Sequence, residues 1–265
     1  MKALIPAAGL GTRYLPLTKA VPKELIHVGK FPVLHHVVQE AKDAGCTEIG
    51  IILSAGKEAI RQYFSWDQPL MDWLDSTGKR EAMAEWEALT DGLTFTWINQ
   101  PEQRGLGDAI ACGEDFADGE GIVVLLGDTI MQGGSPLPQM VKLFEETKMS
   151  QVAVESVTPE KATRYGVCGG ALQKDGSFSL DAMIEKPAPG EVPVIRGAFG
   201  ATLPDAFAFA ARYVLSNSIF NALKTVPPGR NNEIQLTDAM AAVMKQSGFS
   251  AIRIPGKRKD VGAPE

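Results

Sequence analysis

The feature that most constrains this chain is its beginning, where an apolar run passes without a break into a loop almost free of side chains. Residues 3–5 have the length and composition of a buried strand. Ala7, Ala8, Gly9 and Gly11 follow at once, so the main chain can approach a ligand and aim successive N–H groups at it. Arg13, Lys19 and Lys23 add three cations within the next stretch. A strand, a small-residue loop and nearby cations together make a cradle for a triphosphate. A lone Gly-x-Gly is equally an ordinary tight turn. The spacing is not that of a Walker loop, because Gly11 is followed by Thr12 and Arg13 instead of Lys and Ser/Thr. A dinucleotide fingerprint requires a glycine where Tyr14 stands.

The rest of the first half alternates strand and helix. The pattern predicts a short strand over 25–28 and a helix over 31–45, with Leu34, Val37, Val38 and Ala41 on one face and Gly45 at its end. His35 and His36 lie on that helix with no metal-type partner nearby in sequence and are read as helix-face residues. A strand over 48–54 and a helix over 56–64 complete a βαβα run, which implies a parallel sheet covered on both faces. Residues 66–90 carry three tryptophans among many charges and read as helical segments outside that run. A strand over 93–98 then delivers Gln100.

Ligands of open α/β sheets bind beyond the carboxyl ends of the strands, and two such ends carry chemistry here. Gln100 can read the donor and acceptor edge of a base, Gly105 and Gly107 allow the main chain to lie against a ring, and Asp108 is suited to N-cap a helix over 109–116. Residues 121–128 form a continuously apolar strand ending on Asp128. A buried strand needs no carboxylate at its exit, and one placed there suits a Mg²⁺ ion beside a phosphate.

After a helix over 139–147 and a strand over 151–157 the character changes. Residues 165–167, a turn at 174–176 and residues 178–184 predict antiparallel strands laid on the sheet. They end on Glu185 and Lys186, whose side chains point to opposite faces unless a bulge intervenes. Residues 188–204 read as a long Gly/Pro loop, 207–215 as a strand, 217–224 as a short helix, and 228–239 as the opening of a helix reaching about 246. A last strand over 251–255 precedes Lys259 and Asp260.

Bulk properties narrow the function. The net charge is −6 and the basic residues are dispersed, which argues against nucleic acid or a membrane surface as the main partner. Cys46, Cys112 and Cys168 are far apart and read as small buried residues in a reducing compartment. Residues 3–8 are too short and too proline-interrupted for a signal peptide, and no run approaches the roughly 20 apolar residues of a membrane span. The expected location is cytoplasmic.

The opening string, with Gly9-Leu10-Gly11-Thr12-Arg13 and then Pro22-Lys23, resembles the sugar-1-phosphate nucleotidylyltransferases, and the resemblance spans nearly the whole chain. Ala20-Val21-Pro22-Lys23-Glu24 and Glu233-Ile234-Gln235-Leu236-Thr237-Asp238 look like the uridylyl branch. Leu126-Gly127-Asp128 and the Gln-Pro-x-x-x-Gly-Leu spacing after Asn99 look like the thymidylyl branch, which uses dTTP. The resemblance implies a Rossmann-like α/β nucleotidyltransferase fold with a mixed, mainly parallel central sheet, helices on both faces and a smaller antiparallel sugar-binding part. It implies one domain over 1–265, with a nucleotide half over 1–150 and a sugar-phosphate half over 151–265. The substrates it implies are UTP, or dTTP, and a sugar 1-phosphate, with glucose 1-phosphate as the uridylyl branch's acceptor.

By the same resemblance Ala7, Ala8, Gly9, Gly11, Thr12, Gln100 and Gly105 hold the nucleotide. Arg13 takes the departing pyrophosphate and Lys23 neutralises the α-phosphate. Gly166 and Glu185 hold sugar hydroxyls, with Glu233 in support, and Lys186 holds the substrate phosphate. Asp128 and Asp260 hold Mg²⁺. The chain departs from the pattern in the loop before Ala206, where relatives place Asn. Relatives also continue past the position of Glu265 with a helical segment that contributes to subunit contacts, so a homo-oligomer is left open. A non-catalytic sugar-nucleotide sensor on the same fold is the reading of another class.

Overall fold

A computed structural model describes residues 1–197, 200–229 and 232–262. The first half is built on four parallel strands: β1 (Lys2–Pro6), β4 (Glu48–Leu53), β5 (Thr94–Asn99) and β6 (Ile122–Leu125). Strand β1 lies between β4 and β6, with Leu4 beside Gly50 on one side and Val124 on the other. Its alternation divides the interior. Leu4 belongs to the apolar cluster of Ile110, Phe220 and Met240, whereas Ala3 and Ile5 belong to that of Leu34, Val37 and Val38. A strand buried on both faces must be apolar throughout, which is why residues 3–5 are.

The helix expected over 31–45 is α1 (Val33–Asp43), and the two residues before it do something else. Phe31–Pro32 is strand β3, paired as a small hairpin with β2 (His27–Val28), and Pro32 stands at the N-cap position with no side-chain cap, where its missing N–H removes no intrahelical bond. The strand expected over 25–28 is therefore only its last two residues, Leu25 falling in a 3₁₀ turn, Lys23–Leu25. Helix α2 is Glu58–Phe64, and residues 66–90 are helical as expected, with α3 (Gln68–Ser76) and α4 (Ala84–Thr90). His35 is buried, stacks on Phe31 and shares a 2.8 Å hydrogen bond with the Tyr63 hydroxyl. His36 bonds the Val28 carbonyl.

The expected Asp108 cap is not found. Helix α5 runs Leu106–Ala111 with Gly105 at its N-cap, so Asp108 sits inside the first turn, and α6 (Glu114–Ala117) is a separate turn. Gly105 allows the early start: it has φ 106°, and an added Cβ would lie 2.8 Å from the Ile234 carbonyl oxygen.

Beyond β6 come β7 (Thr129–Gln132), α7 (Leu137–Thr147), β8 (Gln151–Val157) and α8 (Pro159–Ala162). Strands β9 (Gly166–Leu172) and β10 (Phe178–Glu185) follow, then β11 (Ile195–Arg196) inside the expected loop 188–204. The chain continues with β12 (Ala206–Leu215), α9 (Ser218–Thr225), α10 (Leu236–Ser247), β13 (Ser250–Arg253) and β14 (Lys257–Asp260). Ala198 and Phe199 of that loop, Arg230 and Asn231 before α10, and residues 263–265 lie outside the described residues. Strands β9 and β10 are antiparallel as expected, but they are members of the main sheet and not a layer upon it. The order is β11-β9-β10-β13-β8-β12-β6-β1-β4-β5.

Strand β12 joins the halves by pairing antiparallel with both β6 and β8. Its register shifts between Phe209 and Tyr213, where Ala211 has φ 62°. That irregularity turns Arg212 into the interior, where it binds Glu40 through Nε and Nη2 at 3.0 and 2.7 Å and the Thr129 carbonyl at 2.7 Å. Strand β14 pairs with β7 so that Asp260 stands opposite Thr129, the neighbour of Asp128.

Candidate active site

Two cavities meet at the carboxyl ends of these strands. The first, about 310 Å³, is lined by Ala8, Gly9, Lys23, Gln100, Gly105 and Asp128 among others. The second, about 270 Å³, is lined by Gly166, Glu185, Lys186, Tyr213, Thr237 and Arg258 among others. Leu106, Leu126 and Glu233 border both. A larger hollow of about 500 Å³ lies away from them against α8 and the 188–204 loop, lined mostly by Pro, Val and Leu. Size does not make it the site, because the other two bring lysine, carboxylate and glycine backbone together at the strand ends.

The glycine loop is held from below. The Ala7 N–H donates to the Ile52 carbonyl at 2.8 Å, and Ser54 donates to the Ala8 carbonyl at 2.8 Å. Ala7 therefore faces the core, its N–H committed, while Ala8 and Gly9 line the cavity. Gly11 has φ 67°, and its carbonyl accepts from the Thr18 hydroxyl. Thr12 and Arg13 are exposed on the 3₁₀ turn that follows and line neither cavity.

Lys23 extends beside Gly9 and donates to Asp128 Oδ2 at 2.5 Å. Burial acts to lower the Lys23 ammonium's pKa, but Asp128, with Glu24 and Asp260 behind it, outweighs burial and holds it raised. The next residue, Glu24, is fully buried and accepts from Lys57 at 2.7 Å. Burial raises the Glu24 carboxyl's pKa against the pull of Lys57 and Lys23. This buried pair ties the loop that carries Lys23 to the turn after β4.

Asp128 and Asp260 converge. A Cβ added at Gly262 would lie 2.7 Å from Asp128 Oδ2 and 2.9 Å from Asp260 Oδ1. The Gly262 N–H holds Asp260 Oδ1 at 2.7 Å, and the Val261 N–H holds the Asp128 carbonyl at 2.8 Å. Two carboxylates facing one small space, with no third His, Cys or acidic side chain grouped there among the described residues, suit a hard cation that takes its other oxygens from phosphate and water.

In the second cavity, strand alternation would separate Glu185 from Lys186. Lys186 instead adopts φ 46°, which brings its Nζ to 3.5 Å from Glu185 Oε1, and both line the second cavity. A left-handed lysine costs on the order of 1–3 kcal/mol, the kind of strain that persists where a side chain must be aimed. Gly166 leaves room for the carboxylate: an added Cβ would meet Glu185 Oε2 at 2.8 Å and the Phe209 ring at 2.6 Å.

Several residues here were not visible in the sequence as site residues. Thr237, in the first turn of α10, donates to Glu185 Oε2 at 2.7 Å. Arg258 pairs with Glu155 at 2.6 Å over the Tyr165 ring. Its place two residues before Asp260 in a strand, hence on the same face, was the available signal. Tyr213 is buried at the cavity wall, and burial with the nearby Glu185 raises its phenol's pKa. Glu233, by contrast, was expected in support of the sugar pocket; it borders both cavities and accepts from Gln235 at 3.2 Å. Ala206, where relatives place Asn, is buried at the start of β12 and lines the outlying hollow. The cysteine thiols are pushed up by burial, Cys46 to about 11, which removes them as nucleophiles.

Comparison with known proteins agrees with this geometry. A uridylyltransferase for UTP and glucose 1-phosphate from Pseudomonas aeruginosa is 37% identical over 100% of this chain and 92% of its own length. The Bacillus subtilis uridylyltransferase YngB is 37% identical over 98% of this chain and 84% of its own. A solved UDP-glucose pyrophosphorylase in complex with UDP-glucose superposes with a TM-score of 0.85 at 33% identity, covering 99% of this chain and 93% of that one. The nucleotidyl transferase family model matches residues 2–265, and with these full-length likenesses the chain belongs to the nucleotidyl transferase family.

Proposed function

We propose that the protein transfers the uridylyl group of UTP to glucose 1-phosphate, giving UDP-glucose and pyrophosphate. The observation that carries this reading is the junction of the two cavities. A loop and cation suited to a triphosphate, beside Asp128, and a pocket with Glu185 and Lys186 suited to a sugar phosphate share a border of Leu106, Leu126 and Glu233, and Asp128 faces Asp260 across Gly262. The names borne by the full-length relatives supply the base and the sugar.

The attacking atom is a phosphate oxygen, ionised at neutral pH, so no general base is needed. His35 and His36 are engaged elsewhere in the fold, in keeping with that. What the step needs is alignment and relief of repulsion between two anions. Gly9 and Ala8 let the main chain reach the phosphates, and Lys23 neutralises charge at the transferred phosphoryl group. Lys186 holds the phosphate of the nucleophile, with Glu185 and Gly166 on the sugar hydroxyls. Arg13, on its exposed turn, meets the departing pyrophosphate. Asp128 and Asp260 would hold Mg²⁺, which would supply charge neutralisation at the phosphates. The protein acts inside the cell, on small substrates and not on nucleic acid.

The test is pyrophosphate release from UTP or dTTP against a panel of hexose 1-phosphates in Mg²⁺. UTP with glucose 1-phosphate should give the highest kcat/KM. Faster turnover of dTTP moves the protein to the thymidylyl branch, and no release with any pair makes it a sugar-nucleotide sensor.

A further inference from the structure

The base-reading residue is itself held by a buried carboxylate. Gln100 and Asp108 are 3% and 7% exposed, and Gln100 Nε2 donates to Asp108 Oδ2 at 2.8 Å. The Gly105 carbonyl lies on the same side of the amide, at 3.5 Å. The other carboxylate oxygen, Oδ1, accepts from Arg104 Nε at 3.1 Å and Nη2 at 2.7 Å. Arginine can only donate and an ionised carboxylate can only accept, so the chain of bonds has one polarity. The Gln100 amide nitrogen is committed to Asp108. Its Oε1 is left over, no donor among the described residues reaches it, and the residue lines the nucleotide cavity.

Building on the uridylyl reading above, the geometry points to Asp108 as a specificity-determining residue that fixes Gln100 as an acceptor and so selects uracil against cytosine. Uracil presents N3–H, a donor that Oε1 accepts. Cytosine presents an unprotonated N3, whose lone pair would face the Oε1 lone pairs, and a buried acceptor is then left without a partner. Asp108 touches neither substrate and acts through Gln100. The residue expected only to cap a helix from outside thus has its work inside the first turn, one helical turn from Arg104.

The polarity can be reversed by one atom. In Asp108→Asn the Arg104 donors draw the new amide's oxygen, which turns its NH₂ toward Gln100. Gln100 then rotates to put Oε1 on that NH₂ and presents Nε2 to the base. The contact to the Gly105 carbonyl, at 3.5 Å, is too long to oppose this. The experiment measures kcat/KM for UTP and CTP with glucose 1-phosphate for wild type and Asp108→Asn, with thermal melts of both. The wild type should prefer UTP, and in the variant the UTP/CTP ratio should fall by at least about tenfold, partly through a gain with CTP, as expected when a site's donor and acceptor pattern is exchanged. If Asp108→Asn does not fold, Asp108→Ala is used; it frees the amide to take either orientation and should lower the ratio partway. A folded variant whose ratio equals the wild type's, whether or not both nucleotides weaken together, overturns the role of Asp108 and leaves the uridylyl reading intact. A wild type that turns over no UTP overturns that reading instead.

Discussion

The nucleotide side and the sugar side of the cleft are built by different means. On the nucleotide side the groups stand just beyond parallel strands: Ala8 and Gly9 after β1, Gln100 after β5, Asp128 after β6. Two of them are fixed by buried partners, Ser54 for Ala8 and Asp108 for Gln100. On the sugar side the groups come from a left-handed residue at a strand end, the first turn of α10 and the antiparallel pairing of β14 with β7, distant in sequence. A parallel sheet delivers its loops to one edge whatever their sequence, whereas the sugar side requires irregular backbone to bring its groups together. The two sides share Leu106, Leu126 and Glu233, and Asp128 on the nucleotide side faces Asp260.

The largest effect should come from breaking the Asp128–Asp260 pair. Asp128→Ala and Asp260→Ala are each expected to lower kcat by about 10²–10³ or more, as for loss of a main electrostatic element. Gly262→Ala probes the same point without removing a charge. Its methyl would stand within 2.9 Å of an oxygen of each carboxylate. Affinity for Mn²⁺, read by calorimetry, should fall roughly 10–100-fold, the range for disturbed support of a metal site. Unchanged Mn²⁺ binding would mean that the two carboxylates do not share an ion.

The two lysines should separate the sides next. Lys186→Ala should raise KM for the sugar phosphate about tenfold or more, as for a lost bond to a charged group, and leave the nucleotide's nearly alone. Lys23→Ala should act mainly on kcat, since charge grows at the transferred phosphoryl group. Steady-state kinetics with each substrate varied in turn decide; an effect of Lys186→Ala on the nucleotide KM alone contradicts the division.

Acid should weaken the fold. Burial, with His36 beside it, lowers His35 to about 4 from an ordinary 6.5. The unfolded chain therefore binds a proton that the folded one refuses, and stability is lost as pH falls from about 6.5 to about 4, by at most about 3 kcal/mol. Denaturant melts at pH 7 and 4.5 should show this slope in wild type and a flatter one in His35→Gln. Equal slopes would place the acid sensitivity elsewhere. Smallest is Thr237→Val, which removes the bond to Glu185. It should raise KM for the sugar phosphate about fivefold, the effect of roughly 1 kcal/mol, with Thr237→Ser restoring it. No change would show that Glu185 is held by other contacts.

The same contrast decides what could be read from the chain. That Gln100 and Asp128 stand just beyond strands was legible because strand and loop are contiguous there, and apolar runs locate the strand ends. Asp108 was misjudged because the N-cap preference of Asp is local, while the actual start at Gly105 depends on close approach to Ile234, far along the chain. Strand β7 and its pairing with β14 were not legible, since a four-residue strand carries little pattern and its partner lies beyond 250. The convergence of Glu185 and Lys186 was hidden by a left-handed lysine, which nothing in residue type predicts.

The central claim is that both sides must be loaded together, with the uridylyl group passing directly from one phosphate to the other. Exchange of labelled pyrophosphate into UTP tests it most directly. The account predicts exchange only when glucose 1-phosphate or UDP-glucose is also present. Exchange with UTP, pyrophosphate and Mg²⁺ alone would reveal a uridylylated protein and contradict it.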